Sequence, residues 1–292
     1  VEVCQTLLIT ETNESVDASW TSFGPLCTDD MIVDLDDLVL GDANGVFTGD
    51  GVSGTHPEYS FDPNTGAGLY TITYSVTNAS GCTAVETHTV EVFGPVNASL
   101  NDLDLGCVID PVGNISLSAL FTSSTTLGGT FSGTGVSGNT LTYTGPGCYE
   151  VTYTMSAFPG ADNACTATAT ASVHIAEEPQ PSFGIQDQVC WSDGDDPLTH
   201  QYTPIVNSPV YQGTVERVFS VESGPATLLD ATTGQIQITG IGTVVLRLTE
   251  TIDYLMCGSI SAGNCSAIYE VQIAVSDGTA LNATFAAYPL YR

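Results

Sequence analysis

The clearest order in this chain is an alternation with period two. "LYTITYSVT" (69–77) places Tyr70, Ile72 and Tyr74 on one side and Thr71, Thr73 and Ser75 on the other. β-Branched and aromatic residues run throughout, as a half-buried strand requires. "CTAVETHTVEVF" (82–93), "CYEVTYTM" (148–155) and "CSAIYEVQIAV" (265–275) behave alike. Clusters of Gly, Asn, Asp and Pro interrupt at short intervals, as tight turns demand. No segment holds a 3.6-residue apolar stripe for more than one turn. "DDMIVDLDDLVL" (29–40) comes nearest, and its place in the repeat described next makes it a strand. The pattern predicts an all-β protein.

The strands recur in blocks. "FTGDGVSG" (47–54) returns as "FSGTGVSG" (131–138). Downstream, "GLYTITYSV" (68–76) is matched by "GCYEVTYTM" (147–155), and "GCTAVETHTVEV" (81–92) by "ACTATATASVHI" (164–175). Upstream, "CTDDMIVDLDDLV" (27–39) faces "CVIDPVGNISLSALF" (107–121), and "VDASW" (16–20) faces "VNASL" (96–100). Five blocks in one order at offsets of 79 to 84 residues establish an internal repeat. A third, divergent repeat carries "PQPSF" (179–183), "QVCWSDGDD" (188–196), "GIGTVVLRLTET" (240–251) and "NCSAIYEVQIAV" (264–275). Its glycine motif is replaced by "RVFSVESGPATLLDATTGQIQITG" (217–240). The expected organisation is repeat 1 over 13–94, repeat 2 over 95–178 and repeat 3 over 179–278. "VCQTLLITE", within 1–12, then reads as the closing strand of a preceding repeat, and "LNATF", within 279–292, as the opening strand of a following one. Either end also serves as a strand exchanged between subunits. The chain reads as a window on a longer array, with a three-domain protein bearing ordinary terminal strands as the alternative.

About seven short strands in each 80–100 residues predict tandem immunoglobulin-like β-sandwiches in an elongated array. In "FSGTGVSG" the aromatic plugs the core, and the glycines allow positive φ and close backbone approach. That suits a bulge or a tight crossover between sheets. A phosphate cradle needs a helix N-terminus after the glycines, and strands follow here.

Composition narrows the functions. There is no lysine; three arginines (Arg217, Arg247, Arg292) face 33 acidic residues, for a net charge of −30. Phosphate binding needs clustered cations, so nucleic acids and anionic membranes are excluded as partners. No apolar run of 18 residues provides a membrane span, and no signal peptide opens the chain. The lack of lysine also excludes isopeptide cross-links, leaving covalent stapling to nine cysteines. There is no C-x-x-C pair and His56, His88, His174 and His200 are scattered, so disulfides in an oxidising, extracellular compartment are favoured over zinc. One cysteine class precedes the second strand of each repeat (Cys27, Cys107, Cys190); another opens the closing strand (Cys4, Cys82, Cys165, Cys265). The simple expectation pairs Cys27–Cys82, Cys107–Cys165 and Cys190–Cys265, with the partner of Cys4 outside the chain. A ten-residue strand spans roughly 33 Å, however, long enough to put the two classes at opposite ends of a standard sandwich, so the pairing is left open. Cys148 and Cys257 belong to neither class, and either pair elsewhere or bridge neighbouring chains.

Cysteine, strand, "GTFSGTGVSG", "GPGCYEVTYT" and "ACTATATASVHI" in this order resemble the tandem immunoglobulin-like repeats of very large secreted surface proteins of Bacteroidota, gliding-motility adhesins among them. The likeness covers residues 1–178 closely and 179–278 more loosely. It implies export by the type IX pathway, attachment at the outer cell surface, and roles in adhesion, gliding or filament formation. The missing lysines depart from an ordinary member and suggest a saline or otherwise unusual host.

Candidate chemistry is sparse, and no enzyme is expected. Ser53 and Ser137 lie in G-V-S-G, which lacks the G-x-S-x-G spacing of a nucleophile elbow. His88 and His174 occupy near-equivalent positions without a duplicated acid or serine partner in sequence. No carboxylate pair stands out for glycoside cleavage. Calcium is the candidate ligand. Asp29, Asp30, Asp34, Asp36, Asp37 and Asp42 crowd residues 28–42, and Asp193, Asp195 and Asp196 crowd 192–196. Hard cations take such oxygen clusters, although neither matches an EF-hand loop and a solvated acidic face is the alternative. Asn13, Asn78, Asn97, Asn114, Asn264 and Asn282 open N-x-S/T triplets, a weak signal here. The expected function is a structural segment of an extracellular adhesin or filament whose partners are neighbouring copies or repeats. The alternatives are a glycan- or surface-binding module using exposed aromatics such as Trp20, Trp191 or Tyr288, and a non-catalytic stalk of a secreted hydrolase.

Overall fold

The computed structural model describes residues 15–277, apart from Asp193 and Gln212. The readings placed on residues 1–12 and 279–292, Tyr288 included, lie outside the described residues. Within them the chain is all-β, relieved by short 3-10 turns.

The first sandwich has seven strands: β1 (Leu26–Cys27), β2 (Val33–Asp34), β3 (Val46–Thr48), β4 (Val52–Ser53), β5 (Ser60–Phe61), β6 (Gly68–Thr77) and β7 (Thr83–Phe93). One sheet runs β1-β7-β6-β3 and the other β2-β5-β4. β1 lies parallel to the closing strand, with Cys27 opposite Phe93, while β6 and β7 form a long antiparallel hairpin. In immunoglobulin lettering these are A′GFC over BED. Between them Trp20, Leu35, Phe47, Phe61, Ile72, Tyr74, Val90 and Val92 close the core. Ile72 and Tyr74 are the inward positions of the period-two pattern, and each buried side chain of this size stabilises by about 1.5–3 kcal/mol relative to exposure.

The second sandwich repeats the plan with β8 (Leu103–Val108), β9 (Gly113–Ser116), β10 (Thr130–Ser132), β11 (Val136–Ser137), β12 (Thr140–Tyr143), β13 (Gly147–Ser156) and β14 (Thr166–Glu177). The orders β10-β13-β14-β8 and β11-β12-β9 match the first sandwich strand for strand. Leu117, Leu120, Leu141, Val151, Val173 and Ile175 fill the core.

The third has nine strands: β15 (Phe183–Gly184), β16 (Gln188–Cys190), β17 (Gln201–Tyr202), β18 (Ile205–Val206), β19 (Val215–Ser223), β20 (Ala226–Asp230), β21 (Gln235–Ile238), β22 (Gly242–Tyr254) and β23 (Gly263–Ser276). β16-β23-β22-β19 faces β17-β21-β20, with β15 and β18 as an added pair. Register confirms the kinship: Phe47 lies opposite Tyr74 in the first sandwich, and Phe219 opposite Leu248 in the third. The chain is thus a set of tandem immunoglobulin-like β-sandwiches. The described residues divide into two compact units, one holding 15–99 with 123–130 and 153–169, the other holding 100–122, 131–152 and 170–277.

The glycine motif is the crossover between sheets. β3 ends at Thr48, Val52 N–H donates to the Gly49 carbonyl, and β4 starts in the opposite sheet. Gly51 and Gly54 hold φ of 83° and 102°, Gly135 and Gly138 φ of 80° and 57°, conformations open to glycine at little cost. The stretch read as one strand over 29–40 differs from that expectation. Only Val33–Asp34 forms a strand, Asp36–Leu38 makes a 3-10 turn, and Val39 adds a single bridge to Trp20. The cause is local: the Asp34 carboxylate accepts from the Asp36 N–H at 3.0 Å, bending the chain just past the strand.

Candidate functional site: disulfide staples where sandwiches meet

The closing strand of each sandwich sets where its cysteines fall. Cys27, Cys107 and Cys190 lie beside the far end of that strand, opposite Phe93, Ala176 and Ser276. Cys82 and Cys165 stand one residue before its beginning, and Cys265 is its third residue. An 11-residue strand separates Cys27 from Cys82 by roughly 35 Å, whereas a disulfide requires Cα atoms about 4.4–6.8 Å apart. The expected pairing within repeats is therefore corrected. Cys27 bonds Cys165 and Cys107 bonds Cys265, with Cα–Cα distances of 5.7 and 5.8 Å. Cys27 and Cys107, both of the first class, thus each reach the closing strand of the following sandwich. Cys82 and Cys190, also disulfide candidates in the sequence, are exposed free thiols.

Within the first compact unit, the Cys27–Cys165 staple is framed by polar contacts. Ala164 N–H donates to Asp29 at 3.0 Å, the Ala164 carbonyl accepts from Val96 N–H at 2.8 Å, and Asp30 accepts from Cys27 N–H at 2.6 Å. Phe93 and Phe158 pack beside it with ring centroids 5.1 Å apart. Within the second unit there are two staples. Cys148 bonds Cys257 at a Cα–Cα distance of 5.5 Å, which resolves the two cysteines that matched neither class. Cys148 replaces the Leu69 of the first repeat, and Cys257 sits in the turn between β22 and β23. A cysteine gained in each of two adjacent repeats was the one signal of their bond.

Asp102 buttresses this second meeting point. It accepts from Ser172 N–H and Ser259 N–H, each at 2.6 Å. Those hydrogen bonds, Ser259 foremost, hold its carboxyl below the usual range. His174 is buried, 2.9 Å from Asp104, and its ring lies 4.5 Å from that of Tyr254. The His174 hydrogen bond is the main reason Asp104 is also held low. His174, Tyr254, Cys148 and Met256 line an open cleft of about 430 Å³.

Most of the acidic residues proposed for calcium have local work. Asp29 and Asp30 serve the staple as described, and Asp34 accepts from the Asp36 N–H. Asp36 takes Tyr59 N–H at 2.5 Å and His56 at 3.0 Å. Asp42 accepts from Asp17 N–H at 2.9 Å, Asp195 from Ser192 N–H at 2.7 Å and Asp196 from Leu198 N–H at 3.0 Å. Asp37 lies in the 3-10 turn without joining a cluster, and Asp193 lies outside the described residues. Among the described residues no three His, Cys, Asp or Glu side chains converge as a metal site.

Of the aromatics considered for glycan contact, Trp20 and Trp191 turn inward. Trp20 is 3% exposed, packs edge-on to Phe47 and donates from Nε1 to the Glu86 carbonyl at 3.4 Å. Trp191 is 9% exposed, against His200. Period-two reading marks them as large and apolar but carries no sign of which face the core takes. Each histidine sits by one carboxylate: His56 by Asp36, His88 by Glu86, His174 by Asp104 and His200 by Asp195. Ser53 Oγ meets Ser60 Oγ at 3.2 Å. No helix among the described residues is long and apolar enough to cross a membrane.

No family model and no curated protein matches the chain. Among solved structures, the I-band fragment I67–I69 of titin aligns at 12% identity over 82% of this chain and 89% of its own, with a TM-score of 0.37. The insect immune protein hemolin aligns at 13% over 90% and 75%, TM-score 0.31. Protocadherin gamma B7 cadherin domains 1–4 align at 10% over 86% and 74%, TM-score 0.28. These are distant likenesses, and the fold assignment rests on the strand orders above.

Proposed function

We propose that this chain is a structural segment of an extracellular surface adhesin or filament, of the kind found in the large Bacteroidota surface proteins its repeats resemble. Its work is mechanical: tandem sandwiches supply reach, and staples stiffen each meeting point. The carrying observation is where the disulfides fall. A cross-link inside one sandwich would stabilise that sandwich alone, whereas Cys27–Cys165, Cys107–Cys265 and Cys148–Cys257 each join consecutive sandwiches. Disulfides persist in oxidising compartments, which supports a location outside the cell, and the acidic surface keeps such a segment soluble. The partners are neighbouring repeats or copies.

The test is small-angle scattering with and without reductant, alongside thermal unfolding. Reduction should broaden the distribution of interatomic distances while far-UV circular dichroism keeps its β signature at room temperature. An unchanged scattering profile after complete reduction would defeat the reading, because the staples would then stiffen nothing.

A further inference from the structure

Two disulfides in this chain obey one rule. The cysteine beside the end of a closing strand bonds the cysteine at the start of the next sandwich's closing strand: Cys27 to Cys165, and Cys107 to Cys265. Applied to the remaining members, the rule leaves two complementary halves. Cys190 is of the first type, opposite Ser276 at the end of β23, with Trp191 N–H bonded to the Ser276 carbonyl at 2.8 Å just as Thr28 N–H is bonded to the Phe93 carbonyl at 3.0 Å. Cys82 is of the second type, one residue ahead of β7 as Cys165 is ahead of β14. It is held in a tight turn, its N–H donating to Asn78 Oδ1 at 2.9 Å and its carbonyl accepting from Asn78 N–H at 3.0 Å. Both thiols are exposed and free while every equivalent cysteine among the described residues is bonded.

We propose that Cys190 of one copy and Cys82 of a second copy form the same bond between molecules, joining third sandwich to first, head to tail. The proposal rests on the mechanical reading above and names its partner, a second copy of this chain. A small-molecule disulfide such as oxidised glutathione supplies the oxidising equivalents. The Cys190 thiolate attacks one sulfur of that reagent, giving a mixed disulfide and one reduced thiol. The second copy's Cys82 thiolate then attacks the Cys190 sulfur, forming the Cys82–Cys190 bond and expelling the second reduced thiol. Two protein thiols and one reagent disulfide thus become one protein disulfide and two reagent thiols. A net charge of −30 on each copy opposes the approach, and salt screens it, so the linkage should form faster as ionic strength rises.

The experiment uses the full chain carrying Cys4→Ser, oxidised with glutathione disulfide in high salt, and read by non-reducing electrophoresis and mass spectrometry of linked peptides. The expected result is a ladder of covalent oligomers whose intermolecular bond is Cys82–Cys190. Adding Cys82→Ser or Cys190→Ser should each give monomer alone, and an equimolar mixture of the two should stop at dimer. Dimers from either variant by itself, or a statistical mixture of Cys82–Cys82, Cys82–Cys190 and Cys190–Cys190 bonds, would overturn the proposal, as would the absence of any ladder. Retention of the three internal disulfides in every variant shows that folding is not the cause. Failure here leaves the mechanical reading to the scattering experiment, which monomer alone can pass.

Discussion

Four tyrosine hydroxyls do in the first two sandwiches what side-chain charge does in the third. Tyr70 and Tyr149 open β6 and β13 and donate to the carbonyls of Gly66 and Gly145, four residues upstream, each at 2.8 Å. This is the tyrosine corner, which pins the loop entering the strand. Tyr74 and Tyr153, four residues on, tie down the loop before the third strand: Tyr74 donates to the Asp42 carbonyl at 2.8 Å and accepts from Gly45 N–H at 2.9 Å, and Tyr153 does the same with Thr126 and Gly129 at 2.7 and 2.8 Å. The third sandwich has Val244 and Leu248 at these places, both buried. There the buried Glu250 accepts from Tyr211 at 2.9 Å and from Arg217 at 2.7 Å, so the loop contributes the tyrosine and the strand the acceptor. Burial, reinforced by Glu250, pushes the Tyr211 hydroxyl far above its ordinary value. Removing the Tyr74 hydroxyl leaves a buried donor and acceptor unpaired, so Tyr74→Phe should lower stability by about 1–3 kcal/mol, measured by urea unfolding of the first sandwich. Tyr70→Phe, at the rim, should cost about 1 kcal/mol. Acid acts through Asp102 and Asp104. Both carboxyls are held low in the folded protein, so their stabilisation is present above the unfolded value near pH 3.9 and is lost as pH falls through the lower folded values. Asp102→Asn with Asp104→Asn should flatten that acid limb in thermal melts between about pH 4 and pH 2; an unaltered limb would place the acid sensitivity elsewhere.

At the scale of elements, what the sequence makes legible is whatever one strand or turn decides by itself. The alternation around Tyr70, Ile72 and Tyr74 reports a strand with one face buried, and "FTGDGVSG" reports a crossover because only glycine enters those φ values cheaply. Val33–Asp34 with its 3-10 turn is less legible, because a two-residue strand has too few positions to show a period. The inward Trp20 and the pairing of Cys27 depend on which sandwich face or neighbour closes over them, and no local pattern encodes that. The two glycine motifs, alike in sequence, should differ in tolerance. A Cβ on Gly54 would run into the Glu58 carbonyl, whereas one on Gly138 meets nothing within 4 Å. Gly138→Ala should therefore cost about 1–2 kcal/mol, the left-handed backbone penalty alone. Gly54→Ala should cost several kcal/mol more and unfold the first sandwich well before the others, as differential scanning calorimetry would resolve. Equal costs at the two sites would mean that backbone preference, and not the close approach, selects glycine here.

For the whole molecule, the staples matter most once folding is lost. Their loops interlock: 27 to 165, 107 to 265 and 148 to 257 overlap, so no sandwich can be drawn out without meeting a covalent stop. With all three bonds intact, the shortest covalent route from Cys27 to Ser276 crosses to Cys165, returns to Cys148, crosses to Cys257 and continues. That is about 36 residues in place of about 250, or about 125 Å of extended chain against about 870 Å. A molecule pulled between these positions should therefore stop lengthening about seven times sooner when oxidised than when reduced. Cys148→Ser with Cys257→Ser should fall between the two, because the route must then follow a longer path than the one through this bond. Single-molecule force spectroscopy reads these contour lengths directly. Oxidised and reduced molecules of equal final length would show that the sandwiches, and not the cross-links, set the limit of extension, and the chain would then be a string of independent domains whose disulfides serve only their folding.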